Sequence, residues 1–576
     1  MSSPSRPHDI GADDPRGWMW LGLSIAALAL LASGVGLHNG FAYDDRWIIV
    51  QNANAHSLNR PWELFGTTYW PTSRGASLYR PLTILLYAAQ WVFGGGAPFL
   101  YHFVNVALYA VVAVLVLLLG LQCLSRSGAW VAAALFAVHP VHVEAVANAV
   151  GQAELWTGLV LLGAVLIYVR ERQGGVAIPR GAAVAIVALY VAGLLIKENA
   201  IVLPALLVIA ELFLVRDTRP WRERADELVT LLVWLTLFAV VYLAVRTHVT
   251  GEIGGDTEHP ALSHLSMGQR SLLMLGLVPR FGRLFVWPDH LWADYSPQMV
   301  PGYSGWNAAL LPGAVLLLCV AILFFVSWRR APVVAFGIAW VVVSISPVAN
   351  ILIPSGILIA ERTLLVPSVG VVLAAGTLAP WLIERLNRQS RVAHIARVAA
   401  AGAFALVLTL GIGQSVERTR TWKSTATVFT TLVTDAPLDF KAHYVMGGLL
   451  WEEHRAQEAE IQWLIAIRLM PDYYAVRVDL AHRYRELHHC DAAVPLYLKA
   501  LAIEPALPLA RIGLVACYLE LAQFRKARLA ALMARSEGYS PRAFRFTIEV
   551  ADSSLVATDS GGGINQWTGK HRGRKP

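Results

Sequence analysis

Residues 41–81 read FAYDDRWIIVQNANAHSLNRPWELFGTTYWPTSRGASLYRP and lie between two long apolar segments. This stretch carries two adjacent carboxylates, Asp44 and Asp45, among many aromatic and arginine side chains. A short polar tether between membrane helices needs neither carboxylates nor aromatic surface. Both features are typical of a folded loop at a membrane interface, where functional residues are held on a rigid scaffold. We therefore expect residues 38–98 to form a loop that covers a site at the membrane surface.

The composition indicates a polytopic membrane protein. Of the 576 residues, 56% are hydrophobic and only 15% are charged, whereas about a quarter of a soluble domain is charged. The formal net charge of +8 would suggest nucleic acid in a soluble chain. Here the arginines cluster in short loops between apolar segments, where they set the membrane topology. We expect membrane lipid, and no nucleic acid, as a partner.

About eleven segments approach the ~20 apolar residues that a helix needs to cross a bilayer. They are residues 18–37, 99–121, 130–147, 155–169, 182–196, 201–215, 228–245, 308–328, 333–351, 364–383 and 398–413. The first is longer than the core of a signal peptide, so we interpret it as an uncleaved span. Leu82–Phe93 is too short to cross and is expected to lie along the interface.

The distribution of arginines decides how Arg270–Trp287 is interpreted. With a cytoplasmic N-terminus and eleven spans, each cytoplasmic loop carries arginines, as the positive-inside rule requires. They are Arg126; Arg170, Arg172 and Arg180; Arg216, Arg219, Arg222 and Arg224; Arg329 and Arg330; and Arg385, Arg388, Arg391 and Arg397. This holds only if Arg270–Trp287 does not cross, because an additional span would move Arg329 and Arg330 outside. We therefore predict a re-entrant or interfacial helix there.

The same topology places ionisable residues from five loops on the external face. They are Asp44 and Asp45, His139 to Glu144, Lys197 and Glu198, Asp294, and Glu361 with Arg362. Ionisable groups at membrane depth are costly and usually functional. Any one of them could be a helix-end anchor that reaches to water, but their gathering on one face favours an active site.

The carboxylates suit transfer to a hydroxyl group. One carboxylate can take the hydroxyl proton and orient the acceptor, while the other binds a second substrate group or a metal. An Asp–Asp pair alone can also be a turn or a helix cap. Glu144 is a second candidate acid. His139, His142 and Glu144 also suit a divalent metal, but no fourth ligand closes the set, so metal dependence stays open and no cofactor is assigned.

Cations near this face could hold a phosphate leaving group. The candidates are Lys197, Arg362, Arg280 and Arg283. The alternative is that Lys197, Glu198, Glu361 and Arg362 form internal ion pairs that hold span ends together. Adjacent side chains on a helix do not face each other, so their partners would lie on other segments.

The C-terminal part has a different character. From about Arg418 the chain is charged, and Pro437, Pro471 and Pro505 recur every 34 residues. Small residues repeat with them in two sets, Ala459, Ala493, Ala527 and Ala466, Ala500, Ala534. This period and these small residues predict tetratricopeptide repeats, an α-solenoid of helix pairs. We expect a membrane domain at residues 1–415, repeats at 416–551, and a disordered tail at 552–576.

The four cysteines lack the spacing of a metal site. Cys123 and Cys319 lie in apolar segments, and Cys490 and Cys517 lie in the repeats. Neither a zinc site nor a disulfide framework is indicated, and a Cys490–Cys517 bridge stays open.

Several motifs together resemble those of the transmembrane and tetratricopeptide-repeat O-mannosyltransferases. They are Tyr43-Asp44-Asp45, Tyr79-Arg80-Pro81-Leu82, Tyr101-His102 with Asn105, Phe136 to Val146 with its His139-Pro140-Val141-His142 core, Lys197-Glu198, Asp294-Tyr295-Ser296 and Glu361-Arg362. The resemblance covers nearly the whole chain. The sequence departs from the family in having about three repeats and in the Thr363-Leu364-Leu365 that follows Arg362.

The resemblance implies an all-α C-type glycosyltransferase fold with about eleven transmembrane helices. It also implies that the protein transfers a hexose, such as mannose, from a polyprenyl phosphate donor. The acceptor would be Ser or Thr of an exported polypeptide that the repeats hold. Asp44, Asp45 and Glu144 would be catalytic, and Lys197, Arg362, Arg280 and Arg283 would bind the donor phosphate. The substrate cleft would be lined by Tyr79, Arg80, His102, His139, His142, Glu198, Asp294 and Glu361.

The composition, rich in Ala and Arg, favours a bacterium, and hence the cytoplasmic membrane with the active site and the repeats on the periplasmic face. Two alternatives stay open. The acceptor could be a lipid or a polysaccharide in the same fold, or the chain could be a non-enzymatic membrane scaffold whose repeats recruit partners. A scaffold has no need of five polar external motifs.

Overall fold

A computed structural model of the chain describes residues 15–71, 78–173, 177–217, 219–251, 262, 265–296, 300, 305–386 and 391–536. Throughout these ranges the secondary structure is helical, with no strand, so the chain is all-α. It divides into two compact units between Ala436 and Pro437. The sequence predicts a domain boundary at residue 415, and the predicted tail at 552–576 lies outside the described residues.

The first unit begins with a helix that leads into the loop quoted above. Its helices are α1 Pro15–Ser33, α2 Pro81–Gly94, α3 Pro98–Cys123, α4 Arg126–Ala137, α5 Val143–Ala147, α6 Gln152–Arg172, α7 Arg180–Ile196, α8 Leu203–Phe213, α9 Trp221–Thr250, α10 Met267–Val286, α11 Leu311–Arg330, α12 Pro332–Ile345, α13 Leu365–Gly376, α14 Leu378–Leu386, α15 Arg391–Thr421 and α16 Thr425–Asp435. Short 3₁₀ turns join several of them.

Each of the eleven apolar segments coincides with helical structure. Within the described ranges, seven helices are long and apolar enough to cross a membrane, and an eighth is reached if α4 and α5, bent by 49°, count as one span. The bend falls at Pro140, whose ring cannot continue the helix. The remaining three segments, around α7, α8 and α12, contain helices of 17, 11 and 14 residues. The chain is a multi-pass membrane protein.

Close packing in this unit depends on small residues. A Cβ placed on Gly337 of α12 would overlap the carbonyl oxygen of Gly370 on α13, and the reverse also holds. Such contacts let helices approach closely where lipid offers no hydrophobic drive for association. By contrast, α9, α11 and α15 expose many large apolar side chains, as expected of surfaces that contact lipid.

The helix α10 starts at a capping box in which Ser266 and Gln269 bond each other's backbone. It contains Pro279 and does not meet the hydropathy requirement for a span. Its interfacial or re-entrant position stays a prediction.

A buried cluster of charges joins the ends of α6, α8 and α9. Arg172 pairs with Glu211 at 2.8 Å and with Glu227 at 2.6 Å, and Arg224 also pairs with Glu211 at 2.8 Å. Asp217 binds Arg172 and Arg219. Each charge in this group has an opposite partner, so its burial is compensated.

The second unit contains three helix pairs between residues 437 and 536, the part of it that the structure describes. They are α17 Phe440–Glu452 with α18 Ala456–Leu469, α19 Tyr474–Glu486 with α20 Cys490–Ile503, and α21 Pro508–Glu520 with α22 Phe524–Ser536. All six repeating alanines are fully buried, which confirms the predicted repeat. Cys490 and Cys517 form a disulfide between α20 and α21.

A further feature recurs with the same period of 34 residues. The side chains of His443, Arg477 and Arg511 each hydrogen bond to the carbonyl oxygen of the proline six residues earlier. These bonds satisfy a carbonyl at the turn before each first helix, where no intrahelical donor is available. The prolines therefore mark a repeated turn that is closed by a side chain.

Candidate active site

The two carboxylates of the first loop have different environments. Asp45 is fully buried, and its carboxylate accepts the backbone N–H groups of Ala42 at 2.9 Å, Val150 at 2.8 Å and Ala149 at 3.3 Å. Burial raises the pKa of Asp45 to about 7, although the three N–H donors act to lower it. Asp45 therefore fastens the loop to the turn at residues 149–151.

That turn is itself held by an amide network. Asn105 donates to the carbonyls of Val146 and Asn148 at 3.1 and 2.9 Å, and Gln152 donates to the amide oxygen of Asn105 at 2.8 Å. A fully bonded buried network of this kind fixes geometry, because each missing bond would be costly. It holds the N–H groups of residues 149 and 150 in place for Asp45.

Asp44 is partly exposed and faces Arg362. The two side chains are 3.8 Å apart and are 17% and 19% exposed. The guanidinium of Arg362 also pairs with the buried Glu144, and the Arg362 backbone N–H donates to the other Glu144 oxygen at 3.0 Å. Three distant segments thus bring together one partly exposed carboxylate, one buried carboxylate and one cation.

The backbone beside Asp44 adopts an unusual conformation. Tyr43 has φ of +54°, which is uncommon for an aromatic residue and is often found at functional sites. Its N–H donates to Thr425 at 2.9 Å, and its ring packs edge-on against Phe429 at 5.0 Å. These contacts with α16 hold the strained residue and thereby the direction of Asp44.

A second charged group lies next to the first. Arg80 binds Glu198 through two bonds, of 2.9 and 2.5 Å, and Lys197 binds Glu154. The charge of Glu154 acts on both Arg80 and Arg362, so it links the two groups. Burial lowers the pKa of Lys197, and the charge of Glu154 acts against this decrease. Burial alone would raise the pKa of Glu198, but the neighbouring Arg80 outweighs burial and lowers the pKa of Glu198 to about 2.

A third group organises the segment after α10. The buried Glu361 accepts the N–H of Trp292 at 2.5 Å and the hydroxyl of Tyr295 at 2.7 Å, and pairs with Arg418 at 3.3 Å. Arg280 lies 4.2 Å from the Trp292 ring centre. Two further predicted residues belong to this part: Arg283 pairs with Asp289, and Asp294 is buried.

The predicted histidines and Tyr79 bind protein atoms. His142 lies between the hydroxyls of Tyr109 at 3.0 Å and Ser368 at 2.8 Å. His139 bonds to the carbonyl of Phe285, His102 to that of Gly40, and the Tyr79 hydroxyl to that of Phe65. Across the described parts of the chain, no three His, Cys, Asp or Glu side chains are grouped as metal ligands.

Four residues of these groups were not among the sequence candidates. Gln152 and Glu154 lie in the first turn of α6 and Asn105 lies within α3; Asn105 belongs to a quoted motif but had no role assigned. Polar residues next to apolar runs are a signal that the sequence does carry, because such residues are costly in a membrane. Arg418 follows the last predicted span, where a charged residue is ordinary. Only its contact with Glu361 distinguishes it.

Comparison with curated proteins supplies relatives over most of the chain. The mouse protein O-mannosyl-transferase TMTC3 is 25% identical over 497 residues, which is 81% of this chain and 53% of that protein. The human protein O-mannosyl-transferase TMTC4 is 26% identical over 481 residues, 74% of this chain and 63% of that protein. The chain is a homologue of the transmembrane and tetratricopeptide-repeat protein O-mannosyl-transferases. The resemblance inferred from the motifs is confirmed.

The chain spans about half the length of the mouse relative that it matches. No family model matches. Among solved structures, the archaeal oligosaccharyltransferase AglB from Archaeoglobus fulgidus, in complex with an inhibitory peptide and a dolichol-phosphate, is 13% identical. That match covers 95% of this chain and 56% of that one, with a TM-score of 0.25.

Proposed function

We propose that this protein is an inverting membrane glycosyltransferase of the C-type that moves a hexose, such as mannose, from a polyprenyl phosphate to a hydroxyl group. The observation that carries the proposal is the partly exposed Asp44 beside the Glu144–Arg362 pair, in a chain homologous to protein O-mannosyl-transferases. A partly exposed carboxylate on a loop that is held in place is positioned to accept a proton from a bound hydroxyl.

The proposed reaction has one displacement step. The acceptor oxygen attacks the anomeric carbon as its proton passes to Asp44. The bond between that carbon and the phosphate oxygen breaks, and the lipid phosphate leaves with the electron pair, so the configuration inverts. Glu144 holds Arg362 beside Asp44, and Asp45 fixes the loop that carries Asp44.

The donor phosphate is proposed to bind near Lys197 and Arg362, because charge developing on a leaving phosphate is stabilised by cations fixed in advance. Arg280 and Arg283 are further candidates. In the structure they contact Trp292 and Asp289, so a phosphate bound there would have to compete with these partners.

The acceptor is proposed to be Ser or Thr of an exported polypeptide bound by the repeats, which offer a solenoid surface. We place the chain in a bacterial cytoplasmic membrane, with its N-terminus inside and the carboxylates and repeats on the periplasmic side. The arginine distribution supports this orientation.

The test is transfer by the purified protein in detergent, from radiolabelled polyprenyl-phosphate mannose to a Ser/Thr-rich peptide. Asp44→Asn is expected to lower transfer by at least about a hundredfold, the scale of general base catalysis, with an unchanged unfolding temperature. Exposed Glu63 of the same loop provides the control, Glu63→Gln. Wild-type activity in Asp44→Asn would exclude Asp44 as the base.

A further inference from the structure

One short segment of the chain holds both members of the Asp44–Arg362 pair. This segment, residues 418–425, covers the last turn of α15, the connection that follows it and the first residue of α16. It contacts the residue that precedes Asp44 in the chain and also the residue that precedes Arg362. The two groups of the pair are thus supported from the same place.

On the side of Asp44, three hydrogen bonds join residues 39–43 of the loop to residues 419–425. They are Asn39 Nδ2 to the Thr419 carbonyl at 3.0 Å, Gly40 N–H to the Lys423 carbonyl at 3.0 Å, and Tyr43 N–H to Thr425 Oγ1 at 2.9 Å. Tyr43 has φ of +54°, a conformation that persists only where the surroundings hold it. Loss of its bond to Thr425 would therefore let Asp44 turn away from its present direction.

On the other side, the segment holds the turn that carries Arg362. Arg418 pairs with the fully buried Glu361 at 3.3 Å. Glu361 and Arg362 are consecutive residues of one 3₁₀ turn, Glu361–Leu364, so the position of one determines that of the other. Removing one partner of a buried pair leaves an uncompensated charge, which would shift this turn and Arg362 with it.

The contact between Asp44 and Arg362 depends on this support. Their side-chain atoms are 3.8 Å apart, which is beyond the range of a hydrogen bond, and both side chains are partly exposed. An ion pair in such a position contributes little stability of its own. Its separation is therefore set by the segments that carry the two residues, and a reaction that uses both groups needs that separation to be fixed.

We propose that residues 418–425 form a clamp that sets the separation of Asp44 and Arg362, with Thr425 and Arg418 as its positioning residues. This inference rests on the proposed function, in which Asp44 accepts the proton of the acceptor hydroxyl. It adds two residues that act through Asp44 and Arg362 and touch no substrate themselves.

The first measurement does not depend on activity. Carboxylates of the full-length protein in detergent are labelled with a carbodiimide and an amine, and mass spectrometry reads the labelling of each residue. Thr425→Val keeps the size of the side chain but removes the acceptor oxygen, so Asp44 should be labelled at least about twofold faster, within the scale of one hydrogen bond. Buried Asp45 and exposed Glu63 are internal references, and their labelling should not change.

The second measurement is transfer from radiolabelled polyprenyl-phosphate mannose. Thr425→Val should lower kcat about fivefold to tenfold, the scale of one net hydrogen bond, with an unchanged donor KM and unfolding temperature. Thr425→Ser restores the acceptor oxygen and should restore kcat. Thr430→Val, at an exposed position of the same helix, is the matched control and should keep the wild-type kcat.

A double variant tests whether both residues act on one pair. Arg418→Gln should also lower kcat, because it releases Glu361 and the turn that carries Arg362. Once either substitution has separated Asp44 from Arg362, the other has little left to disturb. The loss in the double variant Thr425→Val with Arg418→Gln should therefore be smaller than the product of the two single losses.

Each outcome decides the proposal. Wild-type labelling of Asp44 in Thr425→Val would overturn the clamp, and so would a joint rise at Asp44 and Asp45, because the whole loop would then have come loose. Losses that multiply in the double variant would show that the two residues do not act on one pair. The expected labelling without any sugar transfer by the wild type would refute the proposed function but retain the clamp. Transfer by the wild type that is unchanged in Thr425→Val would refute the clamp and retain the proposed function.

Discussion

At the scale of single residues, Asp44 and Asp45 show that adjacent acids can serve different purposes. Asp45 is enclosed by backbone N–H groups, two of which lie more than 100 residues away in the chain. Asp44 is partly exposed and faces Arg362. The sequence predicted the pair as a functional unit but could not divide the roles, because the burial of Asp45 depends on a turn between α5 and α6.

The proton on Asp45 should make stability depend on pH. Burial raises the pKa of Asp45 from 3.8 to about 7, so the native state keeps a proton that the unfolded chain releases. The free energy of unfolding should therefore fall as pH rises from about 4 to about 7 and then level off. Asp45→Asn removes this dependence, and it should also cost about 1–3 kcal/mol, since its NH2 group cannot accept a backbone N–H.

Thermal unfolding of both proteins in detergent over that pH range checks this. The difference in unfolding temperature between wild type and Asp45→Asn should shrink as pH rises. Asp435→Asn, at an exposed position of α16, should leave the pH dependence of the wild type intact. A constant difference between wild type and Asp45→Asn would show that Asp45 does not titrate in this range.

At the scale of helices, apolar length and charge predicted where the elements lie but not which of them pair. All eleven apolar segments are helical, and Arg270–Trp287 is excluded from the predicted spans because another crossing would place Arg329 and Arg330 outside. The partners of Lys197 and Arg362 proved to be Glu154 and Glu144, on other segments, as expected from the poor geometry of adjacent helical side chains. The helices that supply these two glutamates are determined by three-dimensional packing. No short sequence pattern indicates that packing.

The charge cluster between α6, α8 and α9 should be a major determinant of stability. Glu211 is fully buried and binds both Arg172 and Arg224. Glu211→Gln would leave these arginines without a full counter-charge, and breaking a buried pair costs about 3–5 kcal/mol. We expect a clear loss of unfolding temperature in detergent, whereas Glu223→Gln at an exposed position of α9 should have almost none. Equal stability of the two variants would mean that water reaches the cluster.

At the scale of the whole molecule, two independent observations bear on which side of the membrane the repeats occupy. The arginine distribution favours an external C-terminal part when α10 does not cross. The Cys490–Cys517 disulfide lies within the repeats, and structural disulfides persist in oxidising compartments and are rare in the cytosol. The first argument uses the membrane unit alone and the second uses the repeats alone. Because the two are independent, their agreement supports an external position for the repeats.

We therefore predict that the repeats and the loop between α11 and α12 are on opposite sides of the membrane. In a background with Cys123 and Cys319 replaced by serine, Gln457→Cys should react with a membrane-impermeant maleimide in intact cells. Arg330→Cys should react only after the membrane is permeabilised. Both positions are exposed in the structure, so a difference in labelling reports the side of the membrane and not burial. If intact cells label Arg330→Cys but not Gln457→Cys, the topology is the reverse of the predicted one. The site would then face the cytoplasm, and the Cys490–Cys517 disulfide would lie in a reducing compartment.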